Sequence, residues 1–196
     1  MTDHKDLPIL AFPAQTDWDA WLAAHGATSI GLWVKIAKAG AGLPTVSKAE
    51  AVETALVHGW IDGQIDRFDD HFWLTRFTPR GAKSKWSQNN CATAERLIAA
   101  TRMQPAGLVA VEAAKADGRW DAAYAPQSRA EVPADLDEAL NANPEARAFF
   151  VTLKGANRYA VLYRIHDART AKTRAARIDK FVAMLARGET LHPPKS

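Results

Sequence analysis

The feature that most restricts the fold is a change of hydrophobic period along the chain. Over residues 30–37 apolar residues alternate, with Ile30, Leu32, Val34 and Ile36 on one side and Gly31, Trp33, Lys35 and Ala37 on the other. Period two marks a half-buried strand. Toward the other end the spacing becomes three and four. Ala146, Phe149, Phe150 and Leu153 form one such stripe, Tyr159, Leu162, Tyr163 and His166 a second, and Ile178, Phe181, Val182 and Leu185 a third. These are amphipathic helices, and three of them on short links pack as a small antiparallel bundle. The expected class is therefore α+β, with a small antiparallel sheet of about three strands, packed by helices and followed by an all-helical C-terminal region. The expected division is an α+β region over residues 1–126 and a helical region over residues 127–196, either separate or packed into one unit.

The first region reads in order. Thr16 or Asp17 can cap a helix over residues 17–25 that carries Trp18, Trp21 and Leu22 on one face and stops at Gly26. Ser47-Lys48-Ala49-Glu50 is a capping box opening a helix to about His58, and Gly59 ends it. Residues 61–68 and 71–78 read as two strands around Asp69-Asp70. If those two residues are the whole loop, Ile65 faces Leu74 and Gly63 lies opposite Arg76. Ile61, Ile65, Phe72 and Leu74 then share an apolar face with Arg76. A buried arginine needs a partner, since leaving it unpaired costs several kcal/mol. Further helices are expected over residues 87–101 and from Pro105 to Gly118, then a linker over residues 127–132 and a short helix opened by Pro133 with Leu136 and Leu140.

Composition narrows the class. A chain of 196 residues that is 47% hydrophobic and 24% charged can bury a core without covalent staples. Its single cysteine, Cys91, excludes a disulfide framework and a thiolate metal site. The six histidines are scattered, so no metal is expected, and no Rossmann fingerprint appears, so no cofactor is expected either. The glycines of residues 38–44 do not follow the order of a phosphate loop. The charged opening residues and the short apolar run over residues 7–12, broken by Pro8, fit neither an export signal nor a membrane span, which sets the expectation of a cytoplasmic protein. Residues 156–196 hold nine Lys/Arg against three Asp/Glu, whereas the rest of the chain is net negative. Arg169, Lys172, Arg174, Arg177 and Lys180 form a basic helical stripe that can meet an acidic protein partner or simply face water. It lacks the motif and charge excess of a nucleic-acid reader, so nucleic acid is not an expected partner.

The stretch from His58 to Trp86 concentrates the candidate chemistry. It holds three of the seven tryptophans and three arginines. Arg76 and Arg80, with Lys35 and with Lys83 or Lys85, can grip a small carboxylate or phosphate. The competing reading pairs Arg76 internally with Asp62 or Asp66. Trp33, Trp60, Trp73 and Trp86 can line a pocket or fill a core. Ser87 and Asn90 open a helix whose free N–H groups can bind an anion, or Ser87 is a simple cap. The candidate ligand-binding set is therefore Lys35, Trp60, Asp62, Arg76, Arg80, Trp86, Ser87 and Asn90. Asp62 with His58 is a candidate general base pair, although one begins a strand and the other ends a helix. No catalytic residue is assigned.

The chain also resembles the YdeI/OmpD-associated family, described as bacteriocin-protection proteins. The resemblance rests on Gly31-Leu32-Trp33-Val34-Lys35, on Gly59-Trp60-Ile61-Asp62-Gly63 after the Glu50-Ala51-Val52 helix, and on Arg76-Phe77-Thr78-Pro79-Arg80. It continues through Trp86-Ser87 with Asn90, Arg102-Met103-Gln104-Pro105-Ala106-Gly107, Ala148-Phe149-Phe150, Asn157-Arg158-Tyr159 and Thr173-Arg174-Ala175-Ala176-Arg177-Ile178, and so spans nearly the whole chain. It implies a stress or envelope-protection role tied to survival of cationic antimicrobial peptides, and an association with an outer-membrane porin. It supplies no catalytic residues. Three functions follow as expectations. The first is binding of a small anionic ligand in a Trp- and Arg-lined cleft. The others are protein interaction through the basic C-terminal helices, and an enzyme using Asp62 or His58 as base.

Overall fold

The computed structural model describes residues 7–192, so the charged opening, residues 1–6, and residues 193–196 lie outside the described residues. The chain divides into two compact units, Met1–Ala123 and Tyr124–Ser196.

The first unit holds a four-stranded sheet in the order β1-β2-β4-β3, with β1 at Ile9–Ala11, β2 at Leu32–Ala37, β3 at Trp60–Arg67 and β4 at Phe72–Pro79. This corrects the expected antiparallel sheet of about three strands. The added strand, β1, runs parallel to β2, while β2, β4 and β3 are antiparallel. Three residues between Pro8 and Pro13 are too short to show a period. They join β2 where the Pro8 carbonyl accepts the Trp33 N–H at 2.8 Å, and just beyond them the Phe12 carbonyl accepts the N–H of Val46, in the loop before α2, at 2.8 Å.

Four helices complete this unit: α1 (Gln15–His25), α2 (Lys48–Val57), α3 (Gln88–Ala99) and α4 (Pro105–Ala116). Helix α1 starts earlier than expected because the Asp17 carboxylate accepts the Ala14 N–H at 2.9 Å, capping from inside the first turn. Helix α2 has its capping box, with Ser47 Oγ accepting from Glu50 N and Glu50 Oε2 accepting from Ser47 N. Trp18 and Leu22 of α1 and Ala51 and Ala55 of α2 cover one sheet face, which carries Leu32, Val34, Ile36, Trp60 and Phe77. A second core joins Leu56 and Val57 of α2 to Cys91, Ala94 and Leu97 of α3 and to Val111 and Ala114 of α4. Gly59 turns the chain between these cores at φ +73°, and a Cβ there would lie 2.7 Å from the Ala106 carbonyl oxygen. No side chain fits that position.

The hairpin register is half as expected. Trp60↔Pro79, Ile61↔Thr78 and Asp62↔Phe77 follow the simple two-residue-loop frame. Beyond them Ile65 pairs with Thr75 and Arg67 with Trp73, one residue out of that frame. The expected Ile65–Leu74 pair does not form. The shift falls between Asp62 and Ile65, where Gly63 and Gln64 together oppose Arg76, which is a β-bulge. Ile65 consequently lies in solvent, 62% exposed, instead of on an apolar face.

The second unit begins with a short 3₁₀ turn at Gln127–Arg129 and packs four helices: α5 (Ala134–Asn141), α6 (Pro144–Thr152), α7 (Gly155–His166) and α8 (Ala171–Ala186). All four feed one core, including Leu136 and Leu140 of the short α5, so the bundle has one more helix than expected. Helix α7 is also rotated from its expected setting. It buries Val161, Leu162 and Ile165 and leaves Tyr159 and Tyr163 half-buried and His166 exposed. Two stripes one residue apart both satisfy helical spacing. The aliphatic one goes inward because it carries no hydroxyl or imidazole to satisfy. Among the described residues no helix is long and apolar enough to cross a membrane.

Candidate functional site

The eight sequence candidates do not converge on one cleft. Trp60 is 1% exposed in the sheet core, where its Nε1 donates to the Gly26 carbonyl at 3.2 Å and its ring meets Trp18 and Trp21 edge-on. Trp86 belongs to the other core, 4.8 Å from the ring of Trp120. The Arg80 guanidinium lies over Trp86 at 3.7 Å, and its NH1 donates to the Lys85 carbonyl at 3.2 Å. Ser87 caps α3, its Oγ accepting the Asn90 N–H at 3.1 Å. Asp62 is joined to Lys48 at 2.8 Å. Burial pushes the Lys48 ammonium below its ordinary pKa, and the attraction of Asp62 opposes that shift.

His58 and Asp62 are not brought together either. His58 caps α2, and its Nε2 lies 2.9 Å from Asp19 Oδ1 on α1, whereas Asp62 turns to Lys48. Sequence reasoning missed Asp19 and Lys48 as partners. Lys48 offered a signal, since it sits in the first turn of α2, the helix that Asp62 follows.

Arg76 and Lys35 share one face of the sheet. Arg76 stands directly across from Trp33 in the β2–β4 ladder, and Lys35 stands across from Leu74. Partners in a ladder share a face, and so do residues two apart on one strand. Trp33, Lys35, Leu74 and Arg76 therefore lie on the sheet face opposite the α1–α2 core. Lys35 leans toward the hairpin tip, its Nζ 4.2 Å from the centre of the Phe68 ring. Arg76 is half-buried. Its Nε is buried with no hydrogen-bond partner, and among the described residues no carboxylate pairs with its guanidinium. Asp62, one of its two candidate partners, is already held by Lys48 on the other face.

Other arginines are bound into the structure. Glu53 of α2 takes Arg96 at 2.5 Å and Arg102 at 2.9 Å. In the helical unit the expected basic stripe is divided. Arg174 grips Asp135 with two nitrogens, at 2.5 and 2.8 Å, and also donates to the Ile165 carbonyl at 3.1 Å. That guanidinium holds the Asp135 carboxyl below the usual carboxylate range. Arg177 NH1 donates to the Arg164 carbonyl. The motif residues that suggested a family also have structural work. Gly107 lets α4 approach α2 so closely that a Cβ would lie 2.4 Å from the Val57 oxygen, and the Tyr159 hydroxyl donates to the Ala125 carbonyl at 3.0 Å.

Cys91 is buried, and burial pushes its thiol up to about 11, which suits packing and not nucleophilic chemistry. Among the described residues no three of His, Cys, Asp and Glu are grouped as metal ligands would be.

Comparison with known families divides the chain. Residues 10–110 match the family described as a domain of unknown function (DUF8412). Residues 129–188 match the family described as bacteriocin-protection, YdeI or OmpD-associated. The resemblance to the latter family, expected over nearly the whole chain, thus covers the helical region alone, and the motifs of the sheet region fall within a different family. No curated protein and no solved structure matches the chain.

Proposed function

The chain belongs to the DUF8412 family, and from that premise we propose that its sheet unit binds a small anionic ligand through Arg76. The observation that carries the reading is the orphaned Arg76 Nε, a buried donor with no acceptor. A buried unsatisfied donor costs about 1–3 kcal/mol, more when the group is charged, so such a site usually answers to a ligand, ion or water. A carboxylate or phosphate oxygen supplies the missing acceptor and also neutralises the guanidinium. Lys35, on the same sheet face, adds attraction at longer range. Trp60, Asp62, Trp86 and Ser87 have other partners or core positions, and in this reading they position the hairpin and α3 without touching the ligand.

We further propose a stress or envelope-protection role for this binding, which the match of the helical region to the bacteriocin-protection family supports, and a cytoplasmic location is part of the same proposal. An enzyme that uses Asp62 or His58 as base has less support, because each is held by a different partner.

A thermal-shift screen of the full chain against small carboxylates and phosphates tests the proposal, since specific binding raises Tm by mass action. At least one compound should raise Tm in the native chain, lose that effect in Arg76→Ala and keep part of it in Arg76→Lys. Shifts that persist unchanged in Arg76→Ala would sink the idea. The cellular role is tested by challenging a deletion strain with a cationic antimicrobial peptide. Arg76→Ala should then rescue survival less well than the native chain.

A further inference from the structure

The helical unit holds a second feature that its core does not explain. Helix α7 turns Val161, Leu162 and Ile165 inward and leaves Tyr159 and Tyr163 on another face. These two rings line a cavity of about 750 Å³ together with Arg164, Arg177 and Lys180. That volume falls in the range of small-molecule sites, roughly 300–1,000 Å³. We propose that this cavity binds a small phosphate that carries a planar ring, a nucleoside monophosphate being the simplest member of the class.

Charge supports the phosphate. Three cations line the cavity against one carboxylate, Asp167, which lies 3.9 Å from Arg177. Arg177 is anchored by the Arg164 carbonyl, so one guanidinium is held in place before any ligand arrives. Among the described residues the side chains of Arg164 and Lys180 have no ion pair, and both are exposed. Phosphate is the anion that can use several cations at once.

The rings support the planar group. Tyr159 is fixed by its hydroxyl on the Ala125 carbonyl. Tyr163 is fixed edge-on against Tyr124, with ring centres 5.1 Å apart and planes at 88°. Both rings are therefore pre-ordered, and two pre-ordered aromatics give a flat ligand something to stack on.

The wall is also built, not frayed. The Asn157 amide accepts the His192 N–H at 2.8 Å and donates to the His192 carbonyl at 2.9 Å, while Thr190 Oγ1 donates to the same carbonyl at 2.9 Å. These bonds hold Leu191 and His192 along one side of the cavity.

Calorimetric titration of the full chain with AMP, adenosine and inorganic phosphate tests the proposal. AMP should bind saturably and more tightly than either fragment. Lys180→Glu should weaken AMP binding by about tenfold, the usual scale of losing one good ionic contact. Arg164→Glu should do the same, while Lys180→Arg should retain binding. The same titrations in Arg76→Ala remove the anion grip proposed for the sheet, so the AMP binding that remains there reports this cavity alone. Both charge reversals fall at exposed positions, and circular dichroism checks that each variant is folded. The proposal is overturned if AMP does not saturate at millimolar concentration, or if either fragment binds as tightly. It is equally overturned if the Arg164→Glu, Lys180→Glu double variant binds AMP as the native chain does.

Discussion

All seven tryptophans lie at or before Trp120, and all three tyrosines lie at or after Tyr124. The two units thus use tryptophan and tyrosine differently, although Trp21, Trp73 and Trp120 are only half-buried. In the sheet unit Trp18, Trp33, Trp60 and Trp86 are buried, and Trp18 is fully enclosed with its Nε1 on the Ala51 carbonyl at 3.1 Å. In the helical unit the core is almost wholly aliphatic and phenylalanine, and none of the tyrosines is fully buried. Among the described residues both units tie some cations and leave others spare: Arg174 ties α8 to α5 while Arg164 and Lys180 stay unpaired, and Glu53 holds Arg96 and Arg102 while Arg76 lacks an acid. Large aromatics that fill a core cannot also line a site. Aromatics left at a rim, or a cation left over from the ion pairs, can.

The largest expected effect tests the aromatic half of this contrast. Trp18→Ala should destabilise the sheet unit by about 3–5 kcal/mol, the usual cost of emptying a core aromatic site. Tyr163→Ala should cost the helical unit only about 1 kcal/mol, the value of ring contacts beyond area burial. Chemical denaturation, followed by tryptophan emission for the first and circular dichroism for the second, measures both. Equal losses would erase the distinction.

Arg174→Ala tests the cation half, with an intermediate effect. The Arg174–Asp135 pair is partly exposed and therefore screened, so about 1 kcal/mol should be lost at neutral pH. The pH dependence has a definite sign. The folded Asp135 carboxyl sits below its unfolded value of about 3.9, so the unfolded chain binds more protons just below that pH. The contribution is complete above the unfolded value and drains away as pH falls through the folded one. Arg174→Ala should flatten that acid slope in a stability-versus-pH series.

The smallest effect is the most telling. Arg76→Leu removes an unsatisfied buried donor, so it should change stability by less than about 0.5 kcal/mol or raise it. A loss as large as that of Arg174→Ala would mean that Arg76 is tied within the fold, and the contrast between tied and spare cations would fail.

Much of the architecture was legible in sequence because it rests on period and caps. The alternation over residues 30–37 marked β2, although the strand begins only at Leu32, Ile30 is exposed and Trp33 on the other side is buried; Ser47 with Glu50 marked the start of α2, and the stripes after Pro133 marked a helical unit. What was not legible depends on competition between near-equal local choices. β1 is three residues long and takes its identity from bonds to β2. The hairpin frame was right at Asp62 and wrong at Ile65, because a glycine that permits a bulge does not reveal that one forms. The setting of α7 was ambiguous by one residue, and only the packed bundle decides between Tyr159 and Val161. For the candidate site the sequence could name Arg76 and its competing partners. It could not show that Asp19 takes His58, a pair that joins distant parts of the chain, and for Lys48 and Asp62 it offered only their placement at the start of α2 and just after its end.

The bulge at Gly63 and Gln64 bears on solubility too. β3 is an outer strand of the sheet and, at eight residues, a long one. A flat outer strand with an isoleucine in solvent offers a template onto which another chain can add. The extra residue bends and twists β3 beside Ile65 and interrupts the row of backbone groups such a chain would need. The opposite outer strand, β1, is protected differently, by being only three residues long. The same irregularity that faces Arg76 therefore guards the sheet against growing past its own last strand.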